Sequence, residues 1–477
     1  MLFNSIEFFI FLPIVFALYW LIGSKHIKSQ NILIAISSYV FYGWWDWRFL
    51  FLILFSSIVD YSIGLLLKKN SKPTKRKMLL WISICINLGF LGFFKYFNFF
   101  VDSLVDSFTF FGKSLEINTL NIILPVGISF YTFQTLSYTI DVYKNKLEPT
   151  RDFVGFMAFV SFFPQLVAGP IERATNLLPQ FNLERKFTYS LAIDGLRQML
   201  WGLFKKIVIA DNCAKYANII FNNYEDYSGS TLLLGAFFFA FQIYGDFSGY
   251  SDIAIGVSRL FGFNLKRNFA FPYFSRDIAE FWRRWHISLS TWFRDYLYIP
   301  LGGSKGGTQM RIRNTFIIFV VSGFWHGANW TFIVWGALNA IYFLPLLLMK
   351  KNRVNTNQVA EGRYLPNFKE LYQMLFTFFI TLIAWVFFRA DNVSHAISYL
   401  GNMFSSSFIN KLDVFPSTIL LLVFSFLVIE WLGRSGEYAI EKVDGIKKPI
   451  RWGFYMLLII LMFAFTGEQQ EFIYFQF

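Results

Sequence analysis

Two of the chain's four histidines stand where they could move protons. They read Phe281-Trp-Arg-Arg-Trp-His286-Ile-Ser-Leu-Ser290 and Ser322-Gly-Phe-Trp-His326-Gly-Ala-Asn-Trp330, inside a sequence that is otherwise mostly apolar. Imidazole is the side chain whose charge changes near neutral pH, and desolvating it at membrane depth is costly, so an intramembrane histidine is a candidate for acid/base work. The competing reading is a core histidine satisfied by a backbone carbonyl. His326 is favoured over it, because Gly323 and Gly327 let backbone approach closely and Asn329 lies within one helical turn. His26 and His395 fall in loop contexts and carry no such signal. The residues alone point to acid/base chemistry in a bilayer and do not name the reaction.

A second constellation runs from Asn264 to Gly307, where Arg267, Arg276, Asp277, Glu280, Arg283, Arg284, Arg294 and Asp295 interleave with Phe, Trp and Tyr. Arginine beside tryptophan and tyrosine can snorkel and stack at a membrane interface. The segment is expected to form interfacial helices across a cytoplasmic opening, offering guanidinium donors to a phosphate-bearing cofactor or an acidic carrier. The plainer alternative is an aromatic belt with topology-setting arginines. Gly302 to Gly307 is glycine-rich and basic but lacks Walker spacing, and reads as a flexible loop. Cys85 and Cys213 have neither metal-site nor disulfide-framework spacing and read as small buried apolar residues. No metal is expected.

These side chains must be positioned by membrane helices. The chain has 477 residues, 55% of them hydrophobic and only 15% charged, against about 25% charged in a soluble domain. Windows long enough to approach a bilayer crossing of about 20 residues run from Phe8 to Ile22, Asn31 to Trp45, Phe49 to Leu67, Met78 to Phe100, Phe316 to Met349 (as two segments), Leu371 to Phe388, Thr418 to Leu432 and Trp452 to Phe465. Weaker windows, broken by Gly, Pro or polar residues, cover Ile122 to Ile140, Phe153 to Ala168, Leu196 to Ala210 and Leu232 to Ile255. The expected fold is an all-α polytopic membrane protein of roughly eleven to thirteen spanning or re-entrant segments, with Met1 to Gly23 read as a retained first helix rather than a signal peptide.

The net charge of +13 falls in membrane-flanking loops: Lys68 to Lys77, Lys350 to Arg353, and Arg434 to Arg451. That is the positive-inside pattern and not a nucleic-acid footprint. It places these loops in the cytoplasm and both termini outside. No internal repeat or separate extramembrane domain stands out, so 1–477 reads as a single membrane domain, with peripheral helices over 1–120, a catalytic core over 121–345 and C-terminal helices over 346–477. The middle carries embedded polar groups and helix breakers, as in Leu124-Pro-Val-Gly-Ile-Ser-Phe-Tyr-Thr-Phe-Gln134, Phe163-Pro-Gln-Leu-Val-Ala-Gly-Pro-Ile-Glu-Arg173 and Gln242-Ile-Tyr-Gly-Asp-Phe-Ser-Gly-Tyr-Ser-Asp252. Such groups are tolerated at depth only when buried in protein or lining a wet cavity.

On these motifs, together with Trp201-Gly-Leu-Phe-Lys-Lys206, Ala210-Asp-Asn212 and the tail Phe472-Ile-Tyr-Phe-Gln-Phe477, the chain resembles the membrane-bound O-acyltransferase (MBOAT) family. Within it the chain is most similar to the bacterial branch that O-acetylates alginate and D-alanylates teichoic acid. The resemblance covers nearly the whole chain and implies helices around a central funnel in which an acyl donor inside meets an acceptor outside, in the bacterial cytoplasmic (inner) membrane. It implies His326 as the catalytic residue, acting as general base, with His286 supporting it or orienting the donor. Asp246, Asp295 and Asn329 are further candidate neighbours, and Arg283 and Arg284 candidate donor-binding residues.

The implied donor is acetyl-CoA or another acyl thioester, with no tightly bound cofactor. The implied acceptor is an extracytoplasmic polysaccharide of the alginate-like, exopolysaccharide kind, reached through a separate extracytoplasmic acetyltransferase partner, since the chain shows no soluble esterase-like domain. Transfer of D-alanyl or another acyl group to an envelope polymer stays open. Broken polar helices also mark transporters and flippases, but paired inverted half-sequences are not found and that reading leaves the histidine motifs without a role.

Overall fold

The computed structural model describes residues 1–113, 117, 119–167, 169–467 and 470–475. Ala168 of the Phe163–Arg173 motif, and Gln476 and Phe477 of the tail motif, lie outside them. Among the described residues the secondary structure is helix and turn, without strands. The chain divides into two compact units: Met1–Ile193 with Val257–Lys266, and Asp194–Gly256 with Arg267–Phe477.

The first unit holds α1 (Ile6–Ile22), α2 (Ile27–Gly43), α3 (Leu50–Lys69), α4 (Pro73–Leu91), α5 (Phe97–Phe110), α6 (Ile128–Tyr143), α7 (Phe153–Ser161), and the single turns α8 (Phe163–Leu166) and α9 (Ala174–Leu177). Pro73 opens α4 at a position where its missing N–H costs nothing. The expected window at Ile122 becomes helical only at Ile128, because Pro125 has no N–H to donate and Gly127 takes a left-handed φ of 74°.

Helices α3, α4 and α6 are joined by a buried carboxylate. Asp60 accepts from Ser83 Oγ at 2.6 Å, Asn87 Nδ2 at 2.9 Å and Thr139 Oγ1 at 3.2 Å. Polar pairs of this kind hold membrane helices together where lipid offers no alternative partner. Arg185 is likewise buried, donating to Gln30 Oε1 and Asn31 Oδ1 beneath the Phe263 ring.

Helix α10 (Tyr189–Phe204) and helix α12 (Gly229–Leu260) pass from one unit's residues to the other's. The second unit continues with α11 (Asp211–Asn222), the short α13 (Ile278–Arg284) and α14 (Ile287–Phe293), the hairpin α15 (Gly307–His326) and α16 (Trp330–Leu348), then α17 (Phe368–Arg389), α18 (Val393–Met403), α19 (Ser417–Gly433) and α20 (Lys448–Ala464). The window from Phe316 to Met349 is thus two helices, parted at Gly327 to Asn329. Asn329 caps α16, its Oδ1 accepting from Thr331 N at 3.0 Å.

The hairpin is packed backbone to backbone: a Cβ on Gly323 would lie 2.2 Å from the Phe332 carbonyl oxygen, and one on Gly336 would lie 2.4 Å from that of Phe319.

Helices occupy every expected window. Trp47–Lys69, Pro73–Phe110, Gly229–Leu260, Trp330–Leu348 and Phe368–Arg389 are long and apolar enough to cross a membrane, and Ile6–Ile22, Phe153–Leu166 and Ser417–Gly433 are shorter apolar helices. Of an apolar 18-residue stretch in each, only 17% is buried in Pro73–Phe110 against 83% in Gly229–Leu260. The former is largely exposed, and α12 is a core helix despite its apolar length.

Candidate active site

His286 is the N-cap residue of α14 and holds a left-handed backbone, φ 43° and ψ 55°. A non-glycine residue there carries strain of order 1–3 kcal/mol, which persists only when its surroundings dictate it. Asn268, eighteen positions earlier in the sequence, supplies those surroundings. Its backbone oxygen accepts from Ile287 N at 2.9 Å, and its Oδ1 faces Ser288 N at 3.3 Å, Ser288 Oγ at 2.8 Å and His286 Nδ1 at 3.1 Å. An atom that accepts from a backbone N–H must be the amide oxygen. Nδ1 of His286 therefore donates, and the acceptor lone pair of the ring sits on Nε2. Nε2 is buried with no hydrogen-bond partner among the described residues. Outside the spanning helices, burial also pushes the His286 pKa down, favouring neutral imidazole.

His326 ends α15, and its ring centroid lies 6.4 Å from that of His286. Two histidines forty residues apart in sequence are thus brought together. Large aromatics enclose His326: Trp325 at 5.0 Å, Trp335 from α16 at 5.2 Å, Phe388 from α17 at 5.3 Å and Tyr474 at 5.6 Å. Phe247 of α12 stands edge-on to His286 at 4.6 Å.

Tyr474 arrives from the tail, which buried polar groups fix in place. Asp246 Oδ2 accepts from Ile473 N at 2.7 Å, and Lys206 Nζ donates to the Gln470 carbonyl at 3.0 Å while pairing with Asp211 at 2.7 Å and Asp246 at 2.9 Å. Phe472 packs on Tyr250, and Tyr474 on Phe247, each at 4.4 Å. Asp246 therefore serves the site by clamping the tail rather than by facing a histidine. Reasoning from the sequence overlooked Tyr474 as a site residue; its signal was the aromatic run Phe472-Ile-Tyr-Phe475 after the last helix.

The other candidates divide by location. Arg283 lines a cavity of about 500 Å³ together with Arg294, Arg353, Thr315, Phe319 and Ser322. It also donates to the Asn352 and Asn355 carbonyls at 2.8 and 2.7 Å. Arg284 instead pairs with buried Glu280 at 2.8 Å, which Arg276 also pairs at 3.0 Å. Asp295 pairs with its neighbour Arg294 at 2.7 Å. Asn329 is used by the α16 cap and by its Nδ2 donating to the Asp391 carbonyl at 2.7 Å.

Thr315, Phe319 and Ser322 follow helical spacing on α15, and the next turn of that face is His326. At 1.5 Å per residue the stripe is about 16 Å long. A second cavity, about 440 Å³, opens at the other end of the hairpin, lined by Asn329, Thr331, Phe332, Phe388, Arg389 and Asp391. Among the described residues, no cluster of three His, Cys, Asp or Glu could hold a metal ion.

The arrangement suits proton transfer to a small reacting group: two imidazoles close together, water largely excluded by rings, and a cavity toward each end of the helix that carries His326. Comparison with known proteins gives that chemistry its family. The model of the membrane-bound O-acyltransferase family matches residues 150–388. The "Probable alginate O-acetylase AlgI" of Pseudomonas aeruginosa is 41% identical over 445 residues, covering 92% of this chain and 82% of that protein. Its Pseudomonas putida namesake is 40% identical over 447 residues, covering 92% and 88%. The "Peptidoglycan O-acetyltransferase" of Helicobacter pylori is 32% identical over 532 residues, covering 100% and 98%. The chain is an O-acyltransferase with multiple membrane helices, and it belongs to the membrane-bound O-acyltransferase family.

Proposed function

We propose that the protein takes an acetyl group from a cytoplasmic thioester, acetyl-CoA being the first choice, and passes it across the bacterial cytoplasmic membrane for O-acetylation of an extracytoplasmic, alginate-like polysaccharide. The observation that carries this reading is the position of His326 between two cavities at opposite ends of the α15–α16 hairpin. The cavity with Arg283, Arg294 and Arg353 lies toward the basic Lys350–Arg353 loop, the cytoplasmic side by charge. Its guanidinium groups suit phosphate on the donor, and the Thr315–Phe319–Ser322 face leads a slender thioester arm toward the imidazole.

In this reading His326 is the general base. It takes the proton of the acceptor hydroxyl as that oxygen attacks the thioester carbonyl. The new C–O bond forms, the C–S bond breaks, and the proton passes from the imidazole to the departing sulfur. General base catalysis of this kind typically supplies about 10²- to 10⁴-fold in rate. His286, with Nδ1 engaged by Asn268, offers its Nε2 lone pair to a proton at the same centre and keeps a supporting role.

The polar cavity at Asn329, Thr331, Arg389 and Asp391 is the acceptor side. The His326 imidazole is buried behind Phe332 and Phe388, themselves 4.9 Å apart, which favours a slender hydroxyl over a polymer strand. That supports relay through a separate extracytoplasmic partner. Acetyl is preferred to D-alanyl because the relatives matching over most of the chain carry O-acetylase and O-acetyltransferase names. The test is ester-linked acetate on envelope polysaccharide from cells expressing wild-type protein or His326→Ala at matched levels. Loss with His326→Ala supports the reading, and equal acetate in both overturns it.

A further inference from the structure

We propose that Trp335 and Phe388 set the length of acyl group the enzyme accepts, holding it to the two-carbon class. The proposal rests on the acyl-transfer reading and deepens it by naming what selects the acyl group.

A transferred acyl chain must lie beside the imidazole that serves its carbonyl, so the space around His326 decides how many carbons fit. Trp335 meets the His326 ring at 5.2 Å and 86°, and Phe388 meets it at 5.3 Å and 69°. Both are edge contacts that leave no room for a chain between the rings. The layer behind them is equally full. Trp385 stacks on Trp335 at 5.8 Å and 21°, meets Phe388 at 5.2 Å, and abuts Trp285 at 5.1 Å. All four of these side chains are no more than 1% exposed. The arginine-lined cavity stops at Ser322, one turn short of His326, and the outer cavity stops at Gly327.

The wall is also closely backed. Trp335 precedes Gly336, whose added Cβ would stand 2.4 Å from the Phe319 carbonyl oxygen, and Gly323 is held equally close to Phe332. With the two backbones in contact, α16 presents Trp335 at a defined depth beside α15, and a close-packed aromatic interior transmits rather than absorbs an added methylene. Trp325 and Tyr474 complete the enclosure, but Trp325 belongs to the helix of His326 itself and Tyr474 to the tail. Trp335 and Phe388 are the rings that fixed neighbouring helices bring against the imidazole.

The test uses inside-out membrane vesicles from cells expressing the full chain, with empty-vector vesicles as blank. Release of free thiol is followed from acyl-CoAs of two, four, six and eight carbons. Wild-type turnover should fall by about 10-fold or more from acetyl to butyryl, since each methylene in a filled pocket discriminates by about 10- to 200-fold. Trp335→Ala and Phe388→Leu should each raise the butyryl-to-acetyl ratio by about 10-fold or more, with Trp335→Phe intermediate. Wild-type levels in the membrane and a single species after detergent extraction report folding in each variant. Equal wild-type use of acetyl and butyryl, or a parallel loss at all chain lengths in the folded variants, would overturn the proposal. Absence of thiol release from any acyl-CoA by wild type would instead sink the acyl-CoA donor reading, and this proposal with it.

Discussion

Asn268 Oδ1 faces His286 Nδ1 at 3.1 Å while the same oxygen faces the Ser288 amide and hydroxyl. One buried amide thus fixes both the left-handed backbone at His286 and the nitrogen that carries its proton. Asn268→Leu should lower acetyl transfer by about 10- to 100-fold, the range seen when a group orienting a functional histidine is removed, while membrane insertion stays intact. Asn268→Asp, which keeps an acceptor facing Nδ1, should recover part of the loss. Transfer assays on matched membranes check this, and full activity in Asn268→Leu would show that the orientation is dispensable.

Arg283 and Arg284 are neighbours with different surroundings: Arg283 lines the arginine-lined cavity and Arg284 pairs with buried Glu280. Arg283→Glu should raise the KM for donor several-fold and leave kcat less changed, because it reverses charge on the wall of the arginine-lined cavity. Arg284→Ala should chiefly reduce stability, by up to about 3 kcal/mol, because it removes a partner from buried Glu280 while Arg276 remains. Donor kinetics and thermal unfolding in the same detergent separate the two, and identical effects would contradict the assignment.

Asp246 anchors the tail through the Ile473 amide and the Lys206 ammonium. In Asp246→Ala that anchor is lost, while Lys206 keeps Asp211. Hydrogen exchange at the Ile473 amide should rise by at least about tenfold, the equivalent of one lost hydrogen bond of about 1.4 kcal/mol, together with a fall in transfer rate. Unchanged protection at Ile473 would show that the aromatic contacts of Phe472 and Tyr474 suffice.

Gly323→Ala tests the hairpin. With its Cβ only 2.2 Å from the Phe332 oxygen, α15 and α16 must part, shifting His326 against Trp335 and Phe388. A displacement of about 1 Å at a catalytic group can cost about 10²-fold, so transfer should fall by that order. Gly89→Ala, with nothing within 4 Å of the added atom, is the control and should be neutral. Equal activity of the two variants would rule out the close crossing.

The histidine pair was legible because each imidazole sits in a short motif of Trp, Gly and Arg that makes no sense on a lipid-facing helix. The helix windows were legible because length and hydropathy are local properties. What surrounds the pair was not. Asn268, Trp335, Phe388 and Tyr474 come from four different segments, and no periodicity brings them together. Asn329 and Asp295 show the converse. They lie close to the histidines in sequence, but a short polar side chain at a helix start is captured by its own backbone, as Asn329 is by Thr331, and a surface carboxylate by the adjacent guanidinium, as Asp295 is by Arg294. The left-handed backbone at His286 was equally out of reach, since only the Asn268 network requires it.

His326 as the base is the centre of the proposed transfer. Ester-linked acetate on envelope polysaccharide should therefore be measured in cells carrying wild-type protein, His326→Ala, or neither, with protein levels in the membrane matched. The prediction is acetate in the first strain and none above background in the other two. Acetate retained in the His326→Ala strain at the wild-type level would contradict a general-base role for His326.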